Sequence, residues 1–130
     1  MKILVGYDEL GAASSALALA VKHAKAFGAE VEVLTSLEEG TENEIQDISA
    51  AEKGLEYAKQ YFEKEKISCK THLMIRGVTP GEDLVSFAKE NKIDEIIIGV
   101  KRRSKVGKLL FGSTAQYVIL EAHCPVVTTK

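Results

Sequence analysis

The chain lacks any apolar run approaching the length needed to cross a membrane. After Met1-Lys2 it passes straight into a short apolar segment, with no cationic stretch and removable apolar core ahead of it, so neither secretion nor insertion is expected and the cytoplasm is. Cysteine is scarce. Cys69 and Cys124 lie far apart and match neither a metal-ligand spacing nor a redox pair, and they read as two reduced thiols. Excess positive charge is missing too: a net charge of -2 leaves no general basic face, which argues against a nucleic-acid binder relying on counterion release. His23, His72 and His123 are widely separated, without partners at ligand or triad spacing, and read as structural or solvated. No serine sits in a nucleophile elbow and no metal cluster is visible, so an efficient catalytic site is not expected.

What is present suits one domain spanning residues 1–130. With 45% apolar and 28% charged residues, the balance is that of a soluble globular protein long enough to bury its own core. Residues Lys2 to Tyr7 read as a first, central strand ended by Asp8. Leu17, Ala20, Val21, Ala24 and Phe27 mark one face of a helix from Ala13 to Phe27, with Ser14 or a neighbour as cap and Gly28 as a left-handed stop. Glu30 to Ser36 alternates like a strand, and the apolar Leu34 on its second face suggests burial on both sides. A helix from Glu44 to Lys66 carries the stripe Ile45, Ile48, Ala51, Leu55, Ala58 and Phe62. Ile67 to Arg76 alternates like an edge strand with one wetter face. Thr79-Pro80-Gly81-Glu82 predicts a helix start with Thr79 as N-cap, proline at the first position and a capping box to Glu82. That helix reaches about Glu90 and stops at Asn91.

The last third holds the most informative stretch. Three isoleucines, Ile96-Ile97-Ile98, end at Gly99 and predict a strand from Glu95 to Gly99 buried on both faces. Gly112 and Ser113 precede Ala115, Val118, Ile119 and Ala122 at helical spacing, which puts them at the start of a helix from Ser113 to Ala122. Such an end presents unpaired N–H groups and partial positive charge, the physical basis of an anion site. Lys101, Arg102, Arg103, Lys105 and Lys108 stand beside it. A strand from Pro125 to Thr129 follows. Strand and helix alternate throughout, which implies a parallel sheet with helices on both faces, a doubly wound α/β fold.

Gly99, Arg102, Gly112 and Ser113 form the pattern G-x2-R-x9-G-S, which resembles the nucleotide loop G-x2-G-x9-G-[S/T] of the universal stress protein family, with arginine in place of the second glycine. Ile3-Leu4-Val5-Gly6-Tyr7-Asp8, Ala16-Leu17, Arg76-Gly77-Val78-Thr79-Pro80 and Cys124-Pro125-Val126-Val127 are similar to that family in collinear order. The resemblance implies a Rossmann-like, adenine nucleotide alpha hydrolase-like fold: a five-stranded parallel sheet of order 3-2-1-4-5. It implies ATP as ligand, with or without Mg2+ and with AMP or ADP as alternatives. The implied pocket comprises Gly6, Asp8, Ser36, Ile98, Gly99, Arg102, Arg103, Gly112, Ser113 and Thr114. It implies a homodimer through residues 125–129 and a regulatory role with an unidentified protein partner, any ATP hydrolysis being slow and incidental.

Within that pocket Asp8 reads as a ribose ligand or as part of a metal and phosphate network at the switch point of the sheet, or else as a cap for the following turn. The family usually has serine two residues after it, where this chain has Leu10. Ser36 matches a position whose backbone faces adenine in nucleotide-binding relatives. Arg102 either blocks the pocket, as a side chain where bare backbone is wanted, or clamps phosphates through its guanidinium. The first option yields a nucleotide-independent dimeric interaction module. A P-loop is rejected because Arg102 replaces its first glycine and Leu109 its Ser/Thr. A phosphoacceptor receiver is rejected because Arg76-Gly77 follows the third strand where an aspartate is needed.

Overall fold

The computed structural model describes residues 1–8, 13–40, 42–100 and 112–130; the candidate residues Arg102 and Arg103, like Leu10, lie outside them. Among the described residues, strands and helices alternate as β1 (Lys2–Gly6), α1 (Ala13–Phe27), β2 (Glu30–Ser36), α2 (Glu44–Lys64), β3 (Cys69–Met74), α3 (Pro80–Glu90), β4 (Glu95–Gly99), α4 (Ser113–Glu121) and β5 (Val126–Thr129). All pairings are parallel, in the order β3-β2-β1-β4-β5. None of the described helices is long and apolar enough to cross a membrane.

Alternation along each strand divides the core into two layers. Ile3, Val5, Val31, Val33 and Ile97 pack with Leu17, Ala20, Leu55, Ala58 and Phe62 of α1 and α2. Leu4, Leu34, Ile96 and Ile98 pack on the other face with Leu84, Phe87, Ala115 and Val118 of α3 and α4. Each fully buried aliphatic side chain contributes roughly 1.5–3 kcal/mol, so the unbroken apolar runs of β1 and β4 place those strands at the centre.

Three helices end in the same way. The N–H of Ala29, Ile67 and Ile93 reaches back to the carbonyl of Ala24, Phe62 and Ala88, and the residue before each lies at positive φ: Gly28 at 64°, Lys66 at 58° and Lys92 at 53°. This is the Schellman arrangement. It corrects two boundaries, because Ile67 closes α2 rather than opening β3, and α2 stops at Lys64 rather than Lys66. Smaller shifts trim the expected strand ends at Tyr7, Arg76 and Pro125 and the helix end at Ala122.

Three expected core residues are exposed: Ile45 (86%), Phe27 (55%) and Ile119 (43%). Periodicity identifies the inward face of a helix but not how far along its axis that face meets the sheet. Packing of α2 begins only at Ala51. Phe27, the last residue of α1, instead sets its ring edgewise on His23 at 5.5 Å. The edge strand β3 is also drier than expected, since His72 lies 4.7 Å from the Phe87 ring and its Nε2 is 3.0 Å from Glu32 Oε1. His23 Nδ1 sits 2.6 Å from Glu95 Oε1. Both carboxylates are buried within the sheet, so the two histidines complete their hydrogen bonding.

Burial pushes the Cys69 thiol from 9.0 up to about 11, Lys59 opposing the shift and Glu63 and Glu32 adding to it. The folded chain thus holds a proton that the unfolded chain releases near pH 9. The stability this contributes is complete below pH 9 and lost as pH rises toward 11. In urea unfolding, the advantage of the native chain over Cys69→Ala is expected to shrink across that interval; a gap independent of pH would contradict it. Lys66→Gly is expected to raise stability by roughly 0.5–1 kcal/mol, the left-handed penalty less the chain entropy that glycine loses. A lower urea midpoint for that variant would show that the lysine side chain itself holds the turn.

Candidate functional site

The carboxyl ends of β1, β2 and β4 meet the amino ends of α3 and α4 at one crevice, beside the point where the strand order reverses between β1 and β4. Ligands of open parallel sheets bind in this place. Gly6 and Asp8 enter from β1, Ser36 from β2, Ile98 and Gly99 from β4, and Gly112, Ser113 and Thr114 from α4. All eight described candidates therefore line the same space. Leu34, Pro80 and Leu84 also line it, and sequence reasoning did not single them out for this role.

Hydrogen bonds past the strand ends fix the walls. Tyr7 N–H donates to Leu34 O at 3.0 Å, and the buried Thr35 hydroxyl donates to Tyr7 O at 2.7 Å, holding the backbone that delivers Asp8. On the opposite side Val100 N–H donates to Thr129 O at 2.7 Å. Thr35 looks like one more β-branched strand residue in the sequence, and nothing in the alternation marks its hydroxyl as a brace.

Of the helix ends at the crevice, those of α3 and α4 differ. At α3, Thr79 Oγ1 accepts from Glu82 N–H at 3.3 Å and donates to the Glu82 carboxylate at 3.0 Å, so this end carries its own cap. At α4 the cap position is Gly112, which makes no side-chain cap hydrogen bond, and the first turn contains no acidic residue. The N–H groups of Ser113 and Thr114 belong to the positive end of a helix without an internal counter-charge.

Glycine serves two purposes here. A Cβ on Gly6 would stand 3.0 Å from Ile98 Cγ2 and 3.1 Å from Leu84 Cδ1, so a side chain there would require those two residues to give by a few tenths of an ångström. Among the described residues a Cβ on Gly112 would meet nothing within 4 Å, and its φ of -67° suits any residue. Neither that backbone angle nor the packing of the described residues requires glycine at that position.

Behind Ser36 stands a carboxylate that sequence reasoning missed. Asp83 is completely buried. Its Oδ2 accepts the Ser36 hydroxyl at 2.6 Å, while its Oδ1 accepts Arg76 Nε at 3.0 Å and pairs with Arg76 Nη2 at 2.9 Å. One side chain thereby ties the ends of β2 and β3 to the first turns of α3. A signal did exist: Asp83 shares the inward face of α3 with Leu84, Phe87 and Ala88, and a charge on such a stripe needs a buried partner.

The profile of the universal stress protein family matches residues 1–130. A universal stress protein of Methanocaldococcus jannaschii is 30% identical, the match covering 99% of this chain and 81% of that protein. A universal stress protein structure from Archaeoglobus fulgidus superposes with a TM-score of 0.87 at 35% identity, covering all of this chain and 93% of that one. The structure of the universal stress protein from Archaeoglobus fulgidus in complex with dAMP matches with a TM-score of 0.83 at 35% identity, covering all of this chain and 98% of that one. With strand order, crevice and matched length in agreement, the chain belongs to the universal stress protein family.

Proposed function

We propose that this chain is a single nucleotide-binding domain of the cytoplasm that holds an adenine nucleotide, ATP with or without Mg2+, as a regulatory ligand read by a protein partner. The observation that carries the reading is the start of α4, which opens onto the switch-point crevice at a glycine that neither its backbone conformation nor the packing of the described residues requires. With no described atom against a Cβ there, a phosphate can approach the N–H groups of the first turn. Asp8 is the ribose partner, and Ser36 and Ile98 flank the base. Arg102 and Arg103 serve as phosphate clamps, an assignment resting on the sequence. A Mg2+ accompanying the phosphates would find one carboxylate among the described lining residues, Asp8. The dAMP complex of the Archaeoglobus fulgidus relative supports the ligand class and keeps AMP and ADP beside ATP.

A second reading has an observation of its own, Arg102 in the place of the family's second loop glycine. Under it the pocket is closed and the protein is a nucleotide-independent interaction module. Either way the assembly is a homodimer through β5. Among the described residues this strand pairs on one side only, and the adjoining α4 exposes Tyr117, Ile119 and Leu120.

Calorimetric titration with Mg-ATP at moderate salt separates the readings. The native chain is expected to bind. Gly112→Ala should keep its unfolding free energy within about 1 kcal/mol of native, since the new methyl clashes with none of the described residues, yet weaken binding at least tenfold. Arg102→Gly should also weaken it; binding by that variant alone would establish the closed module. Light scattering at tens of micromolar should give twice the monomer mass, and a monomer would refute the β5 dimer.

A further inference from the structure

The α1-facing side of β4 and β5 changes character at the crevice. Ile97 and Val127 pack into the layer covered by α1 and α2, and one step further along the same side stand Gly99 and Thr129, partners across the two strands. Glycine brings no side chain to that step. There Ser15, in the first turn of α1, donates its hydroxyl to Thr129 Oγ1 at 2.8 Å, a contact between residues 114 positions apart in the chain. The Thr129 carbonyl accepts Val100 N–H at 2.7 Å. One residue of β5 thus holds both the start of α1 and the exit of β4.

Thr129 itself does not line the crevice, but what it holds does: Ala13, the first residue of α1, enters from one element, and Gly99 and Val100 from the other. Like α4, α1 carries no acidic residue in its first turn. Two helix starts without an internal counter-charge therefore open on one space, and the attraction of such an end for an anion falls off within a single turn. A small shift of α1 against β4 changes that attraction. We propose that Thr129 is a positioning residue for the anionic ligand, fixing the start of α1 against the exit of β4 through its hydroxyl and its carbonyl. The inference rests on the nucleotide reading above. It gives β5 a task at the crevice although the strand contributes no lining residue there.

Calorimetric titration with Mg-ATP, at a temperature where every variant is folded, reads this role. Thr129→Val keeps the shape of the residue and the carbonyl that holds Val100, and removes only the acceptor for Ser15. It is expected to weaken binding about three- to tenfold, the range of a helix-end interaction in a partly buried place. Ser15→Ala removes the same bond from the other side and should match it, and the double variant should bind no more weakly than either single one. Thr129→Ser restores the hydroxyl and should restore native affinity. Thr128→Val, which alters an exposed hydroxyl one residue earlier in β5, should bind as the native chain does. A merely structural bond would move the unfolding midpoint and leave the affinity of the folded protein unchanged. Native affinity in either Thr129→Val or Ser15→Ala, losses that add in the double variant, or a loss in Thr129→Ser as large as in Thr129→Val would overturn the positioning role and leave nucleotide binding standing. Should Thr129→Val fail to fold, Ser15→Ala decides alone. Absence of binding by the native chain would instead overturn the nucleotide reading and this inference with it.

Discussion

Burial of β1 on both faces and along both edges is the constraint on which the rest depends. Ile3, Leu4 and Val5 have no exposed surface, and β2 and β4 flank the strand in parallel. Parallel neighbours need crossovers, and crossovers that also cover apolar faces must be helices. The chain winds outward through α1, β2, α2 and β3, then returns across β1 to lay down β4 and β5. That reversal parts the connections on the two sides of β1. The crevice at Gly6 and Gly99 is a geometric consequence of covering three consecutive apolar residues, and it exists before any side chain is chosen for a ligand.

Charge placed inside such a fold has to be answered, and the answers add order. Glu32 and Glu95 each meet a histidine, and Asp83 meets both Arg76 and Ser36. Leaving one buried partner unpaired costs on the order of 3–5 kcal/mol, a large part of the stability of a domain this size. Asp83 therefore fixes the rotation of α3 as firmly as Leu84 and Phe87 do, but with direction as well as attraction. Apolar contact holds α3 against the sheet; the carboxylate decides which way Ser36 points its proton.

Much of this was legible in the residues. The bounds of α1, β2, α3 and β4 follow from punctuation with a mechanism: Gly28 at positive φ, the Thr79–Glu82 cap before Pro80, and the triple isoleucine of β4. The strand order was supplied by resemblance, because local spacing cannot say on which side of β1 a returning strand lands. Lys66 concealed the end of α2, since lysine does not advertise a left-handed conformation as glycine does. Of the site, the residues at strand ends were readable because topology puts all strand ends in one place. Thr35 and Asp83 were not, because their hydrogen bonds run to segments 28 and 47 residues away, and a sequence pattern shows spacing rather than partners.

Gly6 and Gly112 show how function separates from fold within the same crevice. At Gly6 an added methyl would press on Ile98 and Leu84, so close packing favours glycine there. At Gly112 an added methyl meets none of the described residues, the backbone angle is one that any residue adopts, and a side-chain cap such as serine or aspartate would satisfy the first turn better than glycine does. An anion is what that end of a helix attracts, and Asp8 and Ser36 line the crevice beside it. The case for a ligand thus rests on the start of α4, where glycine holds the cap position at the mouth of the crevice.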